Sequence, residues 1–286
     1  VTVLAAVPLY PLVTPQPLVE TGVAPVYSAA PAGLSWRTDS GTLLHVKNGG
    51  GGGTTVTVPR VGALADLVLS VPAGGERLVA CPYPFTEVGA ISTAADANPA
   101  NGGINRDTLH SDYANASFSV LTGVTYGLFG IPLLRGGLRG TPTLGSGTGP
   151  VVAGTTALTV QPLDAWAAVT PTYVAAAAGG HHLSAAGGTD GLGVIPRYVI
   201  HVKNAGGSPT SVTLQARALH PDGTWGALVD ALSGPVSVPA GGEKMWTPLG
   251  QDHWPAEIFG AKAWYATLSY SATASVTVAV FAAITA

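Results

Sequence analysis

Chemistry in this chain would be sought first at its histidines. His45 and His201 stand in matching contexts, His45-Val46-Lys47-Asn48-Gly49-Gly50 and His201-Val202-Lys203-Asn204-Ala205-Gly206-Gly207. A general base or metal ligand needs a carboxylate, thiol or second imidazole within reach, and none sits at ligand spacing beside either one. On a strand, each histidine shares a face with its lysine, so both are expected on solvent-facing or interface strand faces. His181-His182 followed by Asp190 has metal-ligating residue types, but neighbours on a strand point to opposite faces and rarely share one ion. His220-Pro221-Asp222-Gly223 reads as a turn. His110-Ser111-Asp112 contains the residue types of a hydrolase triad, yet consecutive residues cannot adopt its spatial geometry, and no Gly-x-Ser-x-Gly elbow accompanies them.

Other motifs are equally bland. Gly49 to Gly53 is followed by Thr and Val rather than by Lys-Ser or Lys-Thr and a helix, so it is not expected to cradle phosphate. Asp222 to Gly226 lacks the spaced acids of a calcium loop. Asn115-Ala116-Ser117 matches a glycosylation sequon without any sign of secretion. The expectation is therefore no catalytic residue, no metal and no cofactor. Tryptophans are more informative. Trp225 and Trp254 lie in loop-like stretches near proline, where exposed aromatics serve a protein interface or a sugar site. An interface is favoured, because acids and amides that would bind sugar hydroxyls are sparse nearby. Val3, Leu9, Tyr10, Leu12 and Trp36 join them as candidate interface residues.

The elements that would position these residues are strands. Charged residues make up 9% of the 286, against about 25% in a typical soluble domain, so much of the surface is expected to be covered by neighbours in an assembly or to reflect a compositional bias. Thirty-nine glycines and 23 prolines, with 47% hydrophobic residues and recurrent Val/Thr alternation, indicate an all-β protein with many turns. Net charge is −3 with no basic run, which argues against nucleic acid as a partner. Cys81 is single and sits in a strand-like context, as a small buried hydrophobe would. Val1 to Val13 is apolar but broken by Pro8 and Pro11 and has no basic flank, so it reads neither as a signal peptide nor as a membrane span.

The chain is written twice. Five prolines between Pro8 and Pro25 make Val1 to Ala30 an extended arm, matched to Leu158 to Ala178 through Val13-Thr14-Pro15 and Val169-Thr170-Pro171 at an offset of 156. His45 and His201 keep that offset. Leu44 and Val46 should face one side of a strand, with Leu43, His45 and Lys47 on the other, and the Asn-Gly turn should lead back through Val56 and Val58 as a hairpin. Val71-Pro72-Ala73-Gly74-Gly75-Glu76 and Val238-Pro239-Ala240-Gly241-Gly242-Glu243 are 167 apart, placing an insertion around His220 to Gly226; Val124 to Phe129 and Val276 to Phe281 are 152 apart, placing another at Ala94 to Asp112. The expected architecture is two tandem antiparallel β-sandwich domains, jelly-roll or Ig-like, with an extended N-terminal arm. They would span 1–134 and 157–286, joined by a Gly/Thr/Pro-rich linker at 135–156.

Thr170-Pro171, the Ala/Gly-rich Ala175 to Gly180, Ile200 to Gly207, Val238 to Glu243, and Tyr270-Ser271-Ala272 through Val280 together resemble small β-sandwich proteins of tailed phages infecting actinobacteria and relatives. The resemblance covers most of 170–286 and, more faintly, 14–131. It implies a head decoration or minor capsid protein, located on the capsid exterior of the virion. The partners it implies are the major capsid protein and further copies of itself as a dimer or trimer, with no nucleic acid and no membrane. The tandem duplication departs from the family pattern. Alternatives are a tail or baseplate structural protein and a carbohydrate-binding module using Trp225 and Trp254.

Overall fold

A computed structural model describes residues 10–37, 41–59, 66–81, 113–131, 153–163, 167–183, 197–219, 224, 226–227, 229–230, 234–248 and 263–283. These residues contain strands and no helix. The first repeat holds β1 (Gln16–Pro17), β2 (Ser28–Ala29), β3 (Gly33–Arg37), β4 (Gly41–Asn48), β5 (Thr54–Val58), β6 (Leu67–Val71), β7 (Glu76–Cys81), β8 (Tyr113–Phe118) and β9 (Val124–Ile131). The second holds β10 (Thr156–Leu158), β11 (Gln161–Pro162), β12 (Ala168–Val169), β13 (Val174–Ala175), β14 (His181–Leu183), β15 (Arg197–Asn204), β16 (Thr210–Leu219), β17 (Val229–Asp230), β18 (Val236–Val238), β19 (Glu243–Trp246), β20 (Ala263–Tyr270) and β21 (Val276–Ala283).

Two sheets form each repeat. In the first, an outer sheet runs β3-β8-β5-β6 and an inner one runs β9-β4-β7, with β1 and β2 both on β9. In the second, β14-β20-β16 with β18 is the outer sheet and β21-β15-β19 the inner. Counted in chain order from β2, the eight strands take the two-sheet order of a jelly roll, and the same order recurs from β13 with the two-residue β17 as an extra strand on β16. The β4–β5 connection is therefore not the expected hairpin. It crosses from the inner to the outer sheet, as β15–β16 does. Leu44 and Val46 face Val56 and Val58 across one core. The Asn48 side chain closes this crossing by donating to the carbonyls of Gly52 and Val71 and accepting from the Gly50 amide. Asn204 repeats the pattern with Ser208, Val238 and Gly206. The Pro-Ala-Gly-Gly turns also cross between sheets, with Gly74 and Gly241 at φ of 68° and 64°, where a Cβ would be strained.

Three apolar layers alternate with the four sheets. Each jelly roll has its own core, around Trp36 and Phe118 in the first and around Tyr198 and Trp246 in the second. A third layer joins the two inner sheets: Leu18, Leu43, Leu78, Phe129 and Ile131 pack with Leu163, Val199, Met245, Ala279 and Phe281. Both faces of β4 and β9 are thus covered, which is why those strands are buried almost throughout. The outer strand β5 alternates instead between Val inward and Thr outward.

The arms are exchanged. Val23 of the first arm bridges Met245 on β19, and β12 of the second arm pairs with β7, Val169 against Leu78. Each arm thus extends the inner sheet of the other repeat, a strand addition within one chain. The arm register corrects the sequence alignment. Gln16 and Gln161 start equivalent strands parallel to β9 and β21, and Tyr27 and Tyr173 bond equivalent histidines. The arms match at an offset of 145 to 146, not 156. A three-residue Val-Thr-Pro match is too short, in a chain of this composition, to set register. The insertions expected at 94–112 and 220–226 fall almost wholly outside the described residues, as do 135–152 of the expected linker.

Candidate functional site

The central layer has a polar end, built from the repeated His-Val-Lys-Asn stretches at 45–48 and 201–204. Leu43, His45 and Lys47 lie on the face of β4 turned toward the second repeat, and Val199, His201 and Lys203 lie on the matching face of β15. Glu76 opens β7 directly across from Lys47, and Glu243 opens β19 across from Lys203. Tyr27 and Tyr173 come from the arms. The histidines are fully buried, which corrects the solvent-facing reading; the interface they occupy is the one between the two repeats of their own chain.

Each half makes the same hydrogen-bonded chain. Tyr27 Oη lies 2.9 Å from His45 Nδ1, and His45 Nε2 lies 3.0 Å from Glu76 Oε2. Tyr173, His201 and Glu243 repeat these distances. A carboxylate only accepts, so Nε2–H donates to the glutamate. Burial disfavours the charged imidazole, and in the neutral ring Nδ1 accepts from the tyrosine hydroxyl. The lysines then cross between repeats: Lys47 Nζ donates to Glu243 at 2.8 and 3.1 Å, and Lys203 Nζ donates to Glu76 at 3.0 and 3.3 Å. Each ammonium also stands 3.7 Å over the ring of its own repeat's tyrosine, a cation–π contact. The two imidazoles meet edge to face at 5.9 Å.

The electrostatics follow from this wiring. Burial holds His45 below its ordinary pKa and His201 down to about 4, with the glutamate bond and the nearby lysines acting in opposite senses. Burial alone would raise the glutamates, but the bonds from imidazole and ammonium outweigh it and bring each down to about 2. Burial, and then the two carboxylates, push both tyrosines well above the ordinary range. At neutral pH two ammonium and two carboxylate groups cancel, and the remaining four groups are neutral.

A Tyr–His–Glu chain can orient a base, but here both ring nitrogens are used internally, and the lysine ammonium groups and tyrosine hydroxyls are themselves bonded within the cluster. What the arrangement does is fasten one jelly roll to the other. The sequence did carry a signal for it. Tyr, His, Lys and Glu recur at equivalent positions in a chain that otherwise spends few residues on charge. The glutamate was missed because it arrives from a neighbouring strand, 31 residues from its histidine.

The other candidates are dispersed. Tyr10 and Leu12 lie on the arm along the edge of the first outer sheet, where Leu12 bridges Ser35 and is exposed. Trp36, expected at an interface, is wholly buried and belongs to the first core with Leu44 and Val58. Val3, Leu9, Trp225 and Trp254 lie outside the described residues. His181 and His182 do point to opposite faces, bonding Tyr270 and Thr155 respectively. Among the described residues, no group of three His, Cys, Asp or Glu is placed to hold a metal.

No known family and no curated protein matches the sequence. Among solved structures, the chain is similar to a protein described for the triple jelly roll fold and turret assembly of an archaeal virus, at 13% identity and a TM-score of 0.19 over 92% of this chain and 57% of that one. It is also similar to a protein of infectious bursal disease virus, strain Gx, at 9% identity and 0.21 over 88% and 57%, and to a secreted protein of Parabacteroides distasonis, at 8% and 0.20 over 87% and 73%. The chain spans less than two thirds of either viral protein. These superpositions are loose, and the jelly-roll assignment rests on the strand order described above.

Proposed function

We propose that this chain is a structural protein of a virion, a decoration protein that binds the exterior of a phage head and cements neighbouring shell subunits. The observation that carries the reading is the use made of the repeated polar residues. Tyr27, His45, Lys47 and Glu76 with their counterparts are spent on locking two jelly rolls into a single four-layer body. Such a body transmits load and needs no chemistry. Jelly rolls serve in viral capsid and lectin domains alike, and fold alone does not choose between them; the resemblance to phage head proteins favours the first.

On this reading the protein is not an enzyme, needs no cofactor, and has the major capsid protein as its partner. Many copies of a modest interface would stabilise the shell through multivalency. The test is co-sedimentation of the purified chain with heads of the source phage. Saturable binding at a fixed ratio to shell subunits supports decoration. Binding to isolated tails in place of heads would move the protein to the tail, and binding to neither would remove it from the virion.

A further inference from the structure

The duplication provides an internal comparison of the two surfaces. Among the described residues the exposed large hydrophobic side chains are Leu12, Val26, Val68, Val120 and Leu121, between 41% and 63% exposed. All five belong to the first repeat. Their counterparts in the second are Ala157, Thr172, Pro235, Ala272 and Thr273. Three of these equivalences are fixed by shared bonds, and Leu12 and Ala157 take the same parallel place beside β3 and β14. Val26 and Thr172 both donate their amides to a Gln16 or Gln161 side chain. The carbonyls of Val120 and Ala272 both accept from a buried threonine, Thr54 or Thr210. Leu121 and Thr273 close the same turn. Two halves with one fold and one internal clasp have thus diverged in the same direction at each of these places.

Four of the five frame one face. Leu12 points outward from the arm at the β3 edge of the first outer sheet, and Val68 points outward from β6 at the opposite edge. Val120 and Leu121 stand at the end where β8 turns into β9. Tyr10 lies flat over Gly33, where any Cβ would come within 2.5 Å of its ring. Between them Thr55, Thr57, Ser70 and Ser117 present hydroxyls, and among the described residues the charges at this sheet are Arg37, at the end of β3, and Asp66, exposed just before β6. Among the described residues the outer face of the second repeat carries Ser211, Thr213, Gln215, Asp230 and Ser269 without such an apolar frame.

We infer that the outer sheet of the first repeat is the docking face, and that its occupant is an uncharged, partly apolar protein surface on the phage shell, with the second repeat directed away from it. This rests on the virion reading above. Five strands including the arm, at about 4.8 Å each, by about 17 Å of strand give roughly 400 Å². That is about half of the 800 Å² per partner of a standard interface, so each contact is weak alone and gains from the repetition of a lattice.

The experiment uses the full chain and heads of the source phage freed of it. Val68→Lys with Leu121→Lys on the first repeat is compared with Ala272→Lys with Thr273→Lys on the second; all four positions are exposed except the half-buried Thr273, and each pair is checked for an unchanged thermal midpoint. The first pair is expected to lower affinity at least about tenfold by burying unpaired charge, the second to leave it within about twofold. Wild-type binding should be unchanged between about 0.1 M and about 1 M NaCl. Wild-type binding with an unaffected first pair, or with a larger loss from the second pair, overturns this inference alone, as does a steep salt dependence. A wild-type chain that does not bind heads overturns the virion reading and this inference with it.

Discussion

The lysine–glutamate crossings can be tested as energies. Lys203 and Glu76 belong to different repeats, 127 residues apart, and meet at 3.0 Å with side chains 31% and 19% exposed. An exposed pair is worth about 0.2–1 kcal/mol, and breaking a fully buried one costs about 3–5 kcal/mol. Partial exposure places this pair between, at about 1–2 kcal/mol of coupling. The perturbation is a double-mutant cycle of Glu76→Gln and Lys203→Met, which removes the charges and keeps the shapes. Glu76→Gln alone should cost more, about 2–4 kcal/mol, because His45 also loses its charged acceptor. Unfolding in urea, followed by circular dichroism, gives each value from the midpoint and slope. Coupling below about 0.5 kcal/mol, the limit expected for independent sites, would refute the view that the lysines tie the repeats together.

The remaining expectations concern pH, packing and the arm. His201 has a folded pKa near 4 against about 6.5 unfolded, so the unfolded chain binds more protons between those values. Stability is then full above about pH 6.5 and is lost as pH falls toward 4, by up to about 3 kcal/mol; a thermal midpoint that stays flat from pH 7 to 4.5 contradicts this. The glutamates, held near 2, should extend the loss below pH 4.5 in the same direction. Phe281→Ala, in the central layer, should cost about 3–5 kcal/mol, measured by urea unfolding, whereas a cost below about 1 kcal/mol would mean that the layer is not packed as described. Gly33→Val should displace Tyr10 from the outer sheet, raising amide exchange at Val13 and Ser35, which bond each other or the arm; unchanged protection would show that the arm is held elsewhere.

Much of the fold could be read from residue patterns, and the errors have physical causes. The inward positions of β4 and β5 were correctly assigned, since Leu44, Val46, Val56 and Val58 all face one core. Their pairing was not, because an Asn-Gly turn suits a hairpin and a crossing between sheets equally well. The distinguishing signal was on the opposite faces. Leu43 and His45 are apolar or only partly polar, as befits an inner strand covered on both sides, while Thr55 and Thr57 mark an outer strand facing water. The clasp was half legible. His45 and Lys47 were placed on one face, but their partners Glu76 and Tyr27 come from a neighbouring strand and from the arm, and spacing along the chain cannot bring them together. Arm exchange had no signature at all, because Val23 and Val169 look like any residue of an extended proline-rich segment.

We propose that a doubled jelly roll, locked by polar residues that recur in both repeats, serves as a rigid piece of a phage head. A cryo-EM reconstruction of intact heads from the source phage tests it most directly. Density for a four-layer β body is expected outside the shell at a fixed lattice position, with the first repeat's outer sheet against the capsid. Heads with no such density, or the same body found in the tail, would contradict it.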